Sequence, residues 1–104
     1  MWVFLNNAFL SIVADRNDPD RLLVRARFSK DIKAVFPEAD VTETPDADYR
    51  FRAFLPRTFV SARLADAVNQ IDYPNFKGSV HQNWRHDLYM KVWQIMFKAQ
   101  KSKI

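Results

Sequence analysis

Arginines two residues apart occur twice in the chain: Arg25 and Arg27 in LLVRARF (22–28), Arg50 and Arg52 in YRFRAFL (49–55). In an extended strand that spacing projects both side chains from one face. Guanidinium groups donate in a planar fork that matches carboxylates and phosphates, so the chemistry at stake is recognition of an acidic partner. Phe54 shares its face with Arg50 and Arg52 and adds apolar surface. The remaining reactive side chains make a thinner set. His81 and His86 are the two histidines, five apart and followed by Asp87. That spacing misses the i, i+4 pair of a helical zinc site and there is no cysteine to complete a shell, so no metal is expected. DRNDPD (15–20) looks like the start of a calcium loop, but it lacks the glycine, and Ala26 stands where the bidentate glutamate would fall. Ser11, Ser29, Ser61 and Ser79 have no nucleophile context, and no catalytic residue or cofactor is expected. A small pocket around Tyr73, Asn75, His81 and His86 is the one place where an enzyme or small-ligand site remains open.

Composition narrows the field further. The 104 residues suit one domain over 1–104 with a single core. With no cysteine the fold has no disulfide, which fits a reducing, cytoplasmic setting. A single glycine, Gly78, leaves no phosphate loop and no dinucleotide fingerprint. The apolar run near the N-terminus is broken by Asn6 and Asn7 and has no basic leader, so neither a signal peptide nor a membrane span is expected. The net charge of +4 is unevenly placed: residues 1–83 hold 11 basic and 11 acidic side chains, and the excess lies in 84–104. Residues 98–104 read as a basic tail that frays.

The elements that must position the arginines follow from pattern. WVFL (2–5) and FLSIVAD (9–15) flank Asn6-Asn7-Ala8 and predict a hairpin, since asparagine tolerates left-handed backbone. RNDPDR (16–21) is a turn into a third strand from Leu22. Ser29 is expected to cap a short helix running through Phe36, with Pro37 stopping it. EADVTETPDAD (38–48), with five acids, reads as an exposed loop before the fourth strand. Beyond Pro56, the stripe Val60, Leu64, Ala67, Val68 and Ile71 predicts a helix laid on a sheet. The stretch 84–100 predicts a final helix with Leu88, Tyr89, Val92, Trp93 and Met96 on one side. The order β-β-β-α-β-α-α gives an α+β fold: an antiparallel four-stranded sheet with helices packed on one face.

Alternation then assigns the faces. Tyr49, Phe51, Ala53 and Leu55 of the fourth strand, with Val24, Ala26 and Phe28 of the third, point toward the helices. Arg25, Arg27, Arg50, Arg52 and Phe54 point away from them, joined by Ser11, Phe9, Trp2 or Phe4 according to register. Such a face suits a protein partner, because arginine and aromatic side chains dominate binding hot spots. It also suits single-stranded nucleic acid, with guanidiniums for phosphate and rings for bases. A third reading needs no partner: Asp15, Asp18, Asp20 and the loop 38–48 could fold beside the arginines and pair with them. The balanced charge of residues 1–83 favours protein over nucleic acid. Met90, Ile95 and Phe97 leave an apolar strip on the last helix through which two copies could dimerise.

Three stretches, MWVFLNNAFLSIVADRNDPDRLLVRAR, ADYRFRAFLPR and IDYPNFKGSV with RHDLYMKVW, resemble a widespread family of bacterial proteins of about this length, labelled uncharacterised. The resemblance covers nearly the whole chain and implies no catalytic residues. By analogy with small inhibitors carried by phages and mobile elements, such as anti-CRISPR proteins, it implies action by binding. The expected function is that of a non-enzymatic binding protein working through protein–protein interaction, one form being an inhibitor of a nucleic-acid-processing complex.

Overall fold

In AFLSIVA, small and large apolar residues alternate so that Ala8, Leu10 and Ile12 fall on one side of a strand and are almost wholly buried. The computed structural model describes residues 1–103 and places this strand, β2 (Ala8–Ala14), between β1 (Trp2–Leu5) and β3 (Arg21–Ala26). Leu5 lies opposite Ala8, so Asn6 and Asn7 alone form the hairpin turn. The left-handed backbone expected there is not used, because no residue among those described has positive φ. The turn is made with conformations open to any L-residue.

The chain next forms α1 (Asp31–Val35), β4 (Thr42–Glu43), β5 (Phe51–Pro56) and α2 (Arg57–Asn69). The sheet is antiparallel throughout, in the order β1-β2-β3-β5-β4. It has five strands where the sequence predicts four. The additional one, β4, lies inside the acidic stretch 38–48, with Thr42 opposite Arg52 and Glu43 opposite Phe51. Two polar residues carry no apolar alternation. The strand is held instead by the Arg50–Glu43 ion pair at 2.7 Å and by the Thr44 amide donating to the Arg50 carbonyl.

The first helix is shorter than expected, five residues starting at Asp31, and Ser29 does not cap it. Asp31 has a different task. The pairing of β2 with β3 begins at Ser11 opposite Arg25, so the Phe9 amide has no β3 partner; it donates to the Asp31 carboxylate at 2.9 Å. This buried carboxylate thus extends the hydrogen-bonding edge of β2 beyond the reach of β3.

Helices α1 and α2 lie on one face of the sheet, where Leu10, Ile12, Val24, Ala53 and Leu55 meet Ile32, Phe36 and Val60. Phe36 is fully buried with its ring 5.7 Å from that of Phe59. Burying side chains of this size contributes about 1.5–3 kcal/mol each. The expected stripe on α2 is only half used. Val60 and Leu64 join the core, but Val68 is 65% exposed and Ile71, beyond the helix end, 51%. The helix meets the sheet with its first turns only.

The chain divides into two compact units, Met1–Ile71 and the segment from Asp72 onward. The second consists of a 3₁₀ turn at Lys77–Ser79 and the helix α3 (Asn83–Lys103). Phe76 stacks on Tyr89 at 5.8 Å and lies 6.0 Å from Tyr73. Arg85 is buried, with its Nε donating to Gln82 at 2.7 Å and its guanidinium over the Trp84 ring. The tail expected to fray over 98–104 is helical through Lys103, and Ile104 lies outside the described residues. Among the described residues no helix is long and apolar enough to cross a membrane.

Candidate functional site

The face of the sheet turned away from α1 and α2 is built by register. Arg25 of β3 stands directly opposite Arg52 of β5, with Leu23 opposite Phe54. Ser11 of β2 is the neighbour of Arg25 on the other side and of Trp2 beyond it, and Phe9 faces Phe4. The face therefore runs from an aromatic end to a cationic one. At the aromatic end Phe4 and Phe9 stack at 4.5 Å, and Trp2 meets Phe9 edge-on at 6.2 Å. Trp2 is 67% exposed and Phe54 51%.

Of the four predicted arginines, only Arg25 and Arg52 are strand residues, because β3 ends at Ala26 and β5 begins at Phe51. Arg27 and Arg50 flank the strands. All four are nevertheless drawn toward one short segment, Asp48-Tyr49, and its neighbour Glu43. The Arg25 guanidinium lies 4.5 Å from the Tyr49 ring centre and that of Arg27 lies 4.2 Å from it. Arg27 donates to the Asp48 carbonyl at 2.8 Å, and Arg52 to the Tyr49 carbonyl at 3.2 Å. Arg50 donates to Glu43 through both Nε and Nη2. The Asp48 carboxylate comes within 3.7 Å of Arg52.

Tyr49 thus departs from its expected place. It is buried, as alternation predicts, but outside the helix-side core and against the guanidiniums of Arg25 and Arg27. Residue 49 precedes β5, so strand alternation does not govern it. The electron-rich ring face attracts cations and holds both guanidiniums in place.

Sequence reasoning passed over Arg21, although positions 21, 23 and 25 share one side of a strand. Its guanidinium lies 4.8 Å from the Phe54 ring centre and 2.8 Å from the Asp15 carboxylate. Asp15 also accepts the Asn17 amide at 2.9 Å, and Asp18 accepts that of Asp20. These bonds to their own backbone account for the DRNDPD stretch as a turn. The Asn17 amide holds the Asp15 carboxyl below its ordinary range; burial opposes this, and Arg21 adds to the lowering.

Between these groups lies a groove of about 390 Å³ whose lining includes Asp15, Arg16, Leu23, Arg25, Arg52 and Phe54, with Val13, Ala14 and Asn17. Arg25 enters it with most of its capacity unspent. Nη2 donates to Ser11 Oγ at 2.8 Å, whereas Nε is sealed from solvent and has no partner.

The second candidate set, in the other unit, is dispersed. Tyr73 packs on Phe76, and Asn75 accepts the Lys77 amide through its own side chain at 3.0 Å. His81 is exposed, and His86 lies 3.3 Å from the Asp87 carboxylate. Among the described residues no group of three metal-ligating side chains is gathered. On α3, Ile95 is 66% exposed and Phe97 39%, while Met90 is half-buried. Trp93 and Phe97 stack at 5.1 Å and border a second groove of about 390 Å³ with Met96.

Fold and site together define an α+β protein with an antiparallel sheet whose side turned away from α1 and α2 carries aromatic groups and ordered guanidiniums. Comparison of the chain with protein-family models, curated proteins and solved structures returns no match.

Proposed function

We propose that the protein acts by binding a protein partner through the sheet face bearing Trp2, Phe54, Arg25 and Arg52, with no reaction of its own. The observation that carries this reading is the exposure of Trp2 and Phe54 beside guanidiniums already fixed by Tyr49. Large aromatics and arginines contribute most to protein interfaces, and side chains ordered before binding lose less entropy on contact. Direct binding of nucleic acid is the weaker alternative. Glu43 and Asp48 already lie against Arg50 and Arg52, and Asp15 against Arg21. Residues 1–71 carry ten basic and ten acidic side chains. A unit with no net positive charge lacks the broad electrostatic footprint of a phosphate-backbone binder.

In its specific form the proposal makes the protein a small cytoplasmic inhibitor that occupies a surface of a nucleic-acid-processing complex. The aromatics test it without disturbing the core. Wild type and the Trp2→Ser, Phe54→Ser double variant are used as bait in lysate, with and without nuclease. A defined protein retained after nuclease by wild type and lost by the variant is expected, and the purified partner should lose activity when wild type is added. Equal retention by both baits, or retention of nucleic acid alone, would overturn the reading.

A further inference from the structure

Two of the three cationic strand residues of this face, Arg25 and Arg52, are placed where like charges destabilise a sheet. Arg25 and Arg52 are directly opposed across the β3–β5 ladder, and cross-strand neighbours of one sign repel. Elsewhere on the face two arginines have an acid of their own: Arg50 has Glu43 at 2.7 Å and Arg21 has Asp15 at 2.8 Å. Among the described residues no carboxylate pairs with Arg25. The nearest to Arg52 is Asp48 at 3.7 Å, on a side chain 72% exposed.

The hydrogen-bond inventory is equally incomplete. A guanidinium carries five N–H donors. Arg25 uses Nη2 on Ser11 and leaves Nε without an acceptor in a place water does not reach. Sealed from solvent, that Nε is out of reach of a ligand in the groove, which would meet the other donors of the guanidinium. Both guanidiniums line the same groove, together with Arg16, and its one acid, Asp15, is already held by Arg21 and the Asn17 amide. The remaining lining, Val13, Leu23 and Phe54, is apolar.

We infer that the groove between Arg25 and Arg52 receives a carboxylate side chain of the protein partner, with a neighbouring apolar side chain resting on Leu23 and Phe54. This rests on the proposed protein-binding role and specifies its chemistry. A carboxylate has two oxygens to offer the guanidiniums of two cross-strand neighbours, offsets their like charge and suits the planar donor fork. The groove's volume holds one or two side chains, whereas a nucleic-acid strand would need a continuous basic track.

The test uses the intact chain, labelled with ¹⁵N, and follows the arginine Nε–H resonances during titration. N-acetyl-Glu-Leu-amide is the probe, with its Gln counterpart and inorganic phosphate as comparisons. The Glu peptide is expected to shift the Arg25 and Arg52 signals, the Gln peptide to leave them in place, and Arg52→Gln to weaken the response about tenfold or more. Equal shifts from the Gln peptide would reduce the site to an apolar groove. Shifts from phosphate without shifts from the Glu peptide would assign it to a phosphate, and no shift from any probe would end the proposal. Partner capture separates this inference from the reading beneath it. If Trp2→Ser with Phe54→Ser abolishes capture and Arg25→Gln with Arg52→Gln does not, the face binds a protein but the carboxylate assignment is wrong.

Discussion

Replacing Tyr49 by leucine removes the ring that two guanidiniums share while keeping most of the apolar volume. The Arg25 contact, at 4.5 Å and with Nε sealed from solvent, belongs to the desolvated kind, for which about 2 kcal/mol is typical. The Arg27 contact is closer, at 4.2 Å, but Arg27 is exposed, so about 0.5–1 kcal/mol applies. Together Tyr49→Leu should cost roughly 2–3 kcal/mol, a sizeable part of the about 5–15 kcal/mol by which a domain is stable. Tyr49→Phe, which keeps the ring, should stay within about 0.5 kcal/mol of wild type. Urea denaturation at neutral pH measures both, and a double-mutant cycle with Arg25→Gln isolates the pairwise term. The cycle should return a coupling of at least about 1 kcal/mol. A coupling indistinguishable from zero, or a Tyr49→Phe loss as large as that of Tyr49→Leu, would show that the ring does not order the guanidiniums.

Two further outcomes follow from local geometry. Asp15 is held below the ordinary aspartate value of 3.8, first by the Asn17 amide and then by Arg21. With the folded pKa below the unfolded one, its contribution is complete above 3.8 and is lost as the pH falls through the folded value, so Asp15→Asn should flatten that acid limb of a stability–pH profile. At Gly78 an added Cβ meets nothing within 4 Å and the backbone is not left-handed, so Gly78→Ala should raise stability to thermal unfolding by about 0.4–1 kcal/mol.

The strands that form the core were legible because their residues alternate over enough length. Leu10 and Ile12, Val24 and Ala26, and Ala53 and Leu55 all point where alternation sends them. The fifth strand was not legible, since Thr42 and Glu43 owe their place to Arg50, a partner seven residues from Glu43. Tyr49 was misplaced for a related reason: alternation was extended to a residue two positions before the strand's true start. On α2 the apolar stripe was real, but periodicity gives no measure of how far the sheet extends beneath it, and Val68 remains outside. The pairing of arginines with nearby acids, one of three alternatives open from the sequence, applies to Arg50 with Glu43 and, at 3.7 Å, to Arg52 with Asp48, and leaves Arg25 without a carboxylate. The groove was invisible because Asp15, Leu23 and Arg52 come together only through strand register.

The absence of positive φ among the described residues also bears on how the chain can vary. Where a turn needs left-handed backbone, glycine is the default residue, because other side chains are strained there. Here the Asn6-Asn7 hairpin tip imposes no such steric filter. The information that specifies the fold therefore resides in what side chains bury and whom they pair with. That holds for loop positions too: Tyr49 and Asp15, both outside helices and strands, are fixed by the groups they meet and not by a special backbone conformation. A surface substitution at the hairpin tip therefore acts through the contacts it adds or removes, without a backbone penalty of its own.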